Sequence, residues 1–429
     1  MLKYTRMSKE KVVNLNFLVC ILLLVAGTAS AQTDTLKLSF KEAEKQFLQK
    51  NLRLIAQKYH VDASSALVKQ AALWDNPTLN TEQNLYDNTH TFFNHADGNG
   101  QVYLIMSQIF RTAGKRGKQV QLAKDDARIQ EAEFNDLMRN LRYNLQQDFA
   151  DVASITEQNK VYVTEISSLN TLGDAIEKSY KAGNSSFKDA VRIKALLFGL
   201  QSDLAENNRQ LVNLETELKT LLAVDEGTTI LPQLDRPKVE ALPSADQLIA
   251  QALTSRPDYL GGSIESERAK HNLSYQKSLA LPDITAGVVY DKVNSYSPHY
   301  FGLQIGLPLP LFDRNQGNIR AARLDMKGQE AAFKDSELSL KQEVMAARQQ
   351  YQIAASMLSE GSEDFYSKYD QLFKGMLKSY QQRQISLLEF VDFFESYKDT
   401  QLKIIAQRYN LHKAAADLNY TVGTTVINP

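Results

Sequence analysis

The sequence predicts a mainly α-helical chain with transmembrane β, built as a duplicated unit of helix, β-hairpin and long helical hairpin. Three observations carry that prediction. No proline occurs between Pro77 and Pro232 or between Pro310 and Pro429, which leaves two stretches where long helices can run. Segments of apolar/polar alternation, clear in the second half and weaker in the first, precede each expected long helix pair. The two halves also repeat each other at an offset near 200.

The chain has 429 residues, 43% hydrophobic and 23% charged, with a net charge of -1. This balance excludes disordered, collagen-like and disulfide-scaffold classes. It also gives no electrostatic reason to expect nucleic acid as a partner.

Residues 1–31 read as a secretory signal peptide. Lys3, Arg6, Lys9 and Lys11 form a basic start, Phe17 to Ala26 an apolar run, and Ala29-Ser30-Ala31 a small-residue cleavage site. Cys20 is the one cysteine, and it lies within the run rather than after it, so it is expected to be discarded, not acylated. The mature chain, from about Gln32, then has no thiol chemistry. No other stretch is apolar enough for a membrane helix, so entry into a membrane requires a closed β-barrel.

The first repeat is expected over 32–224, with a helix, a hairpin at 78–110 and a long helix pair at 117–222. A linker follows at 225–243. The second repeat is expected over 244–429, with its hairpin at 283–310 and its helix pair at 317–422. Asn51-Leu52-Arg53-Leu54 matches Arg256-Pro257-Asp258-Tyr259, and Pro77-Thr78-Leu79 matches Pro282-Asp283-Ile284. Phe110 matches Phe312, Gly117 matches Gly317, and Tyr180 matches Tyr380.

In the second hairpin Ile284, Ala286, Val288 and Tyr290 alternate with polar or small residues. Phe301, Leu303, Ile305, Leu307 and Leu309 then do the same. Segments Thr78–Tyr86 and Val102–Phe110 are the weaker first-half counterparts. Four strands cannot close a barrel around a lumen, whereas three copies give twelve.

The helix pairs carry the strongest periodicity. Ile193, Leu197, Leu200, Leu204, Asn207, Leu211, Leu214, Leu218 and Leu221 step by four and three, a heptad seam with one polar member. A second seam runs through Leu387, Phe390, Phe394, Tyr397, Ile404 and Leu411, interrupted by Gln401 and Arg408. The stretches before them, from Gly117 to about Lys181 and from Gly317 to about Gln381, would each reach roughly 100 Å as helix. A tunnel across a wide compartment needs that length; a compact globular domain does not.

Over the mature chain the sequence resembles the TolC-like outer membrane efflux family. Its most specific part is Gly306-Leu307-Pro308-Leu309-Pro310-Leu311-Phe312-Asp313-Arg314-Asn315-Gln316-Gly317-Asn318. This is similar to the strand-to-helix junction of outer membrane components of cobalt–zinc–cadmium resistance pumps, as is Gly114-Lys115-Arg116-Gly117 in the first half. The resemblance implies a homotrimer with a 12-stranded β-barrel among outer-membrane lipid and an α-helical barrel in the periplasm. It implies docking with a periplasmic adaptor (membrane fusion) protein and an inner-membrane resistance–nodulation–division transporter. The duct itself would need no cofactor and catalyse nothing. Heavy-metal cations are the favoured cargo, with multidrug or type I secretion ducts as alternatives.

By the same resemblance, Tyr180 to Asp189 and Tyr380 to Glu389 correspond to periplasmic helix tips that close the tunnel. Glu389 and Asp392 fall at the expected acidic constriction, although read alone they are ordinary solvated helix charges. Asp189 and Tyr380 fall at an inter-helix latch, to which Arg383 is a candidate contributor. Gly183, Asn184, Ser186, Gln384 and Ser386 form the turns and the expected adaptor contacts. This chain departs from the family pattern in having Arg383 where a glycine is usual, and Ile385 where some relatives hold a latch arginine.

No enzyme constellation emerges from the sequence. Asp87, His90, His95 and Asp97 lie close together in the first hairpin loop, but their spacing matches no closed metal site. A periplasmic coiled-coil structural or adaptor protein is the rival of another class. It leaves the alternating strands unexplained.

Overall fold

The computed structural model describes residues 35–86, 92–96, 100–360 and 363–428. The expected signal peptide, Asp87, His90 and Asp97 lie outside the described residues. In chain order the elements are β1 (Thr35–Ser39), α1 (Phe40–Lys50), α2 (Leu52–Ala71), β2 (Thr78–Gln83) and β3 (Val102–Phe110). Then come α3 (Lys115–Lys181), α4 (Phe187–Leu222), β4 (Thr229–Gln233), α5 (Ala245–Ser255) and α6 (Pro257–Leu279). The chain continues with β5 (Ile284–Val293), β6 (Pro298–Gly306), α7 (Gln316–Glu360), α8 (Glu363–Gln381) and α9 (Leu387–Val422).

These elements fall into two compact units. One combines Met1–Lys50 with Asp148–Asp235, the other Asn51–Gln147 with Arg236–Pro429. Their division therefore differs from that of the tandem halves, and α3 contributes to both.

In the first unit the heptad seam of α4 is turned inward at Ile193, Leu200, Leu218 and Leu221. It packs with Leu169, Leu172 and Ile176 of α3 in a buried core. Gly173 allows the closest approach, since a Cβ there would stand 3.3 Å from Ile193. Phe40 of α1 meets Phe149 edge-on at 6.0 Å. Gln46 donates to the Leu222 carbonyl at 2.9 Å, satisfying one open carbonyl at the end of α4. The segment 225–243, expected as a linker forming part of an equatorial belt, contains β4, which pairs in parallel with β1, Thr35 opposite Thr229. Alternation in Thr35-Leu36-Lys37-Leu38-Ser39 is the sequence signal for that pairing.

The second unit contains a sheet ordered β2-β3-β5-β6, antiparallel throughout. Its β6 ends at Gly306 rather than continuing to Leu309, because Pro308 and Pro310 lack the N–H a ladder requires. β2 ends at Gln83, short of Tyr86, which forms only an isolated bridge with Phe92. The long stretch from 317 comprises α7 and α8, with 361–362 outside the described residues. On α9 the interior positions are Leu387, Phe390, Phe394, Tyr397, Ile405 and Leu411, so Ile405 takes the place expected of Ile404.

Helices α5, α7 and α9 share a core of Leu248, Leu340, Val344, Tyr351, Leu418 and Val422, among others. The chain end is held by Asn419, which donates to the Ile427 carbonyl at 2.7 Å and accepts from the amides of Val426 and Ile427. Asn51 and Arg256, paired by the tandem repeat, both stand at helix N-caps. Asn51 caps α2 with its side chain, at 3.1 Å from the amides of Arg53 and Leu54. Arg256 instead precedes Pro257, which fits the first turn of α6 without an N–H.

The Arg256 guanidinium is buried and joins three elements. It donates to both carboxylate oxygens of Asp258, to Glu343 at 2.5 Å, and to the Thr421 carbonyl at 3.5 Å. Arg139 of α3 meets the same Asp258 at 3.1 Å and lies over the Tyr420 ring at 4.2 Å. Beside it the Tyr143 hydroxyl donates to Asp417 at 2.6 Å; burial and that bond push its phenol well above the usual range. Arg256→Ala leaves the Glu343 carboxylate without this partner at the helix junction. It is expected to destabilise the fold by about 1 kcal/mol, since the carboxylates left behind are partly solvated, read as a lower thermal midpoint in detergent. An unchanged midpoint would show that the network is dispensable.

Candidate functional site

The two helix tips have the same backbone built from different residues. In the first, the Asn184 amide donates to Ser179 at 2.8 Å and Gly183 to Tyr180 at 2.9 Å. In the second, Gln384 donates to Ser379 and Arg383 to Tyr380, both at 2.9 Å. Each is a Schellman closure, which satisfies the last carbonyls of a helix and needs a left-handed residue at its centre. Gly183 has φ +75° and Arg383 has φ +61°. Glycine adopts that conformation freely, while a residue with Cβ is strained there by about 1 kcal/mol. The departure from the family's glycine therefore changes the residue and leaves the turn intact.

A serine cap starts each returning helix. Ser186 accepts from the Asp189 amide at 3.1 Å, and Ser386 from the Glu389 amide at 3.2 Å. Glu389 also reaches back, accepting from the Ser386 amide and hydroxyl, each at 2.8 Å. This is a reciprocal capping box, legible in the sequence as Ser-x-x-Glu. The bonds from the Ser386 backbone and side chain hold the Glu389 carboxyl below the ordinary glutamate range. Glu389 thus stays ionised, exposed and fixed in direction at the tip.

Asp392 is also exposed on α9, three residues on and so on the same helix side. Asp189 belongs to the first unit and Tyr380 to the second. The Tyr380 ring stacks on Phe390 at 5.2 Å, continuing an aromatic column in which Phe373 lies parallel to Tyr397 at 4.2 Å. Gly183, Asn184, Ser186, Gln384, Ser386 and the Arg383 side chain are all exposed.

In the second unit, both strand-to-helix junctions are anchored to the end of α6 and the residues that follow it. Lys115 is buried and donates to the Leu281 carbonyl at 2.6 Å and to Asp283 at 2.7 Å. Thr112 donates its amide to the same Asp283 at 2.8 Å. Gly114 has φ +68°, and Arg116 lies over the Trp74 ring at 3.7 Å. In the second junction, Asn315 has φ +56° and donates to the Gln276 carbonyl at 2.8 Å. The role of Lys115 was not evident from sequence, because a lysine in a basic run reads as solvated.

The sheet between these junctions and the loops has two unlike faces. Register puts Leu79, Leu104, Met106, Phe110, Ile284, Val288, Leu303 and Ile305 on one side. Ser107, Gly287, Gln304, Gly302 and Asp291 lie on the other. The apolar side is largely exposed, Leu303 at 74%. On the polar side Gly287 is needed, since a Cβ would stand 3.0 Å from the Met106 carbonyl.

Among the described residues, no group of three or more His, Cys, Asp or Glu side chains is placed to hold a metal ion. His95 meets the Phe93 carbonyl at 2.8 Å, and His271 meets the buried Asp125 at 2.6 Å.

A two-faced β-sheet joined to long helical hairpins with closed tips is the architecture of an outer-membrane channel subunit. The outer membrane efflux protein family matches residues 44–224 and 248–424, and the chain belongs to that family. It is thus an outer-membrane efflux protein that extends into the periplasm. Among individual relatives, it is 19% identical to the cobalt-zinc-cadmium resistance protein CzcC of Cupriavidus metallidurans, over 87% of each chain. Its fold is similar to that of the outer-membrane channel OprN, with a TM-score of 0.74 and 14% identity over 90% of this chain and 89% of that one. It is also similar to CusC, with a TM-score of 0.72 and 18% identity over 90% and 92%.

The paired tips provide a direct test of the backbone argument. Arg383→Gly is expected to slow hydrogen exchange at the Gln384 amide, and Gly183→Ala to speed it at Asn184. Each change corresponds to about 1 kcal/mol of local stability. Faster exchange in Arg383→Gly would show that the arginine side chain holds the turn.

Proposed function

We propose that this chain is the exit duct of a tripartite efflux pump, working as a homotrimer with heavy-metal cations as cargo. The observation that carries the reading is the exposed apolar sheet face between two unpaired strand edges, β2 and β6. Three such sheets edge to edge give twelve strands, a closed wall with the apolar face toward lipid and the polar face toward a lumen. β5, ten residues from Ile284 to Val293, runs about 30 Å along the strand and at the usual barrel tilt spans about 23 Å, close to the apolar band of an outer-membrane barrel. The helical hairpins would line the periplasmic passage, their tips meeting a periplasmic adaptor protein. Transport energy would come from an inner-membrane resistance–nodulation–division transporter.

The cargo rests on the similarity to a cobalt-zinc-cadmium resistance protein and on Glu389 and Asp392. Repeated in three copies, these would form two carboxylate rings one helical turn apart, favouring cations over anions. The Glu389 bonds to Ser386 would fix the orientation of the first ring.

Single-channel conductance in planar bilayers tests the reading. The channel is expected to prefer cations, and Glu389→Gln with Asp392→Asn to weaken that preference several-fold. Glutamine retains the reciprocal cap, so the readout reports charge and not helix fraying. The folded carboxyl of Glu389 is held low, so its charge persists above that lowered value. Its contribution to selectivity should fade only as pH falls below the ordinary glutamate range. Unchanged selectivity in the double variant would remove the tips from the pore.

A further inference from the structure

From the sheet order and the exposed residues flanking its edges, we infer a second contact between copies just outside the barrel wall. The segment Leu307–Phe312 of one copy packs on Leu73 and Trp74 of the next. This inference rests on the trimeric reading above and goes beyond it by naming the residues that fasten neighbours together at the strand-to-helix junction.

The argument begins with chain direction. β2 and β6 run in opposite directions and are the two edges of the sheet. When β6 of one copy pairs with β2 of the next, the end of β6 meets the start of β2. The residues just after Gly306 then lie beside the residues just ahead of Thr78.

Both flanks are apolar and uncovered. After β6 come Leu307, Leu309, Leu311 and Phe312, all exposed, Phe312 at 92%. Pro308 and Pro310 alternate with them, which stops the segment from continuing the ladder, and at Pro310 the chain turns, the Leu311 amide donating to the Leu309 carbonyl at 2.9 Å. Before β2 come Leu73 and Trp74, exposed at 61% and 62%.

The Trp74 side is preorganised. Arg116 covers one face of the indole at 3.7 Å. Asp75 is gripped by Arg111 through two bonds of 2.7 and 2.8 Å, and its carbonyl accepts from Gln108 at 2.7 Å. A rigid, half-open aromatic beside an unpaired strand edge has the character of an interface hot spot. A fixed anchor loses little side-chain freedom on binding. The Leu307–Phe312 segment, which turns at Pro310, offers the matching cluster of exposed apolar side chains.

Within one chain the two edges are separated by three strand spacings, roughly 14 Å. A disulfide requires Cα atoms within about 7 Å. Cysteines at the two flanks can therefore join only neighbouring copies.

The test uses the full chain with Cys20→Ser, carrying Trp74→Cys and Phe312→Cys, extracted in mild detergent and oxidised with copper–phenanthroline. The expected result is covalent dimers and trimers on a denaturing gel that return to monomer on reduction and are absent from either single variant. A second pair, Leu73→Cys with Leu311→Cys, leaves the Trp74–Arg116 stack in place and decides the matter if the first pair fails to assemble. Trp74 is also the sole tryptophan. In trimers of Phe312→Ser its emission should therefore shift to longer wavelength. Three-chain particles without cross-linking by either pair, and with unshifted emission, would overturn the inference and leave the indole to lipid. Particles that are not trimeric would overturn the trimeric reading along with it.

Discussion

The backbone groups along the outer edges of β2 and β6 constrain this molecule more than any other feature, because neither water nor lipid suits both the edges and the face between them. Water would hydrate the edges but not a face carrying Leu79, Met106, Val288, Leu303 and Ile305. Lipid accepts that face but leaves each edge N–H and C=O unpaired, at several kcal/mol per group. In the proposed trimer, continuation of the sheet into other copies would satisfy both, and membrane insertion and assembly would become one event. The junctions serve the same end. Lys115, Thr112 and Asp283 fix where β3 ends and where β5 begins, and so anchor the two inner strands from which the edge strands are laid out.

The tandem halves show how much residue identity can drift while a backbone role persists. Gly183 and Arg383 occupy the same left-handed position in matching tips, one freely and one under strain. Asn51 and Arg256 both stand at the start of a helix, one as a side-chain cap and one as the hub of an ion-pair network. The hairpins diverge too: Gly173 brings α3 close to Ile193 of α4, whereas Phe373 stacks on Tyr397 between α8 and α9. The pattern of turn, cap and seam is retained. The chemistry filling it has become different in each half.

Much of this was legible in the sequence because it depends on period and punctuation. The α4 seam, the alternation of β5 and the proline-free stretches follow from local geometry. β6 proved shorter than its alternation suggested, since Leu307 and Leu309 keep the period while Pro308 and Pro310 remove the donors. The parallel pairing of β1 with β4 joins segments far apart in sequence, and such short strands carry little local signal. Lys115 was hidden because burial of a lysine depends on the Leu281 carbonyl and Asp283 arriving from the other half. At the tips, the position of Glu389 was readable, and the Ser-x-x-Glu spacing of its cap is a sequence signal as well. Charge pattern alone does not distinguish a capping carboxylate from a pore carboxylate; Glu389 is the first in this structure, and the second is the proposal.

The central claim is that the chain closes its sheet only by adding copies of itself, and the mass of the extracted particle tests this most directly. Outer membranes washed with alkali and dissolved in mild detergent should yield a protein component of three chains, measured by light scattering with the detergent contribution removed. Release of the protein by the alkali wash, or a monomer in mild detergent, would contradict the account. It would mean that the exposed face and the open edges are satisfied in some other way.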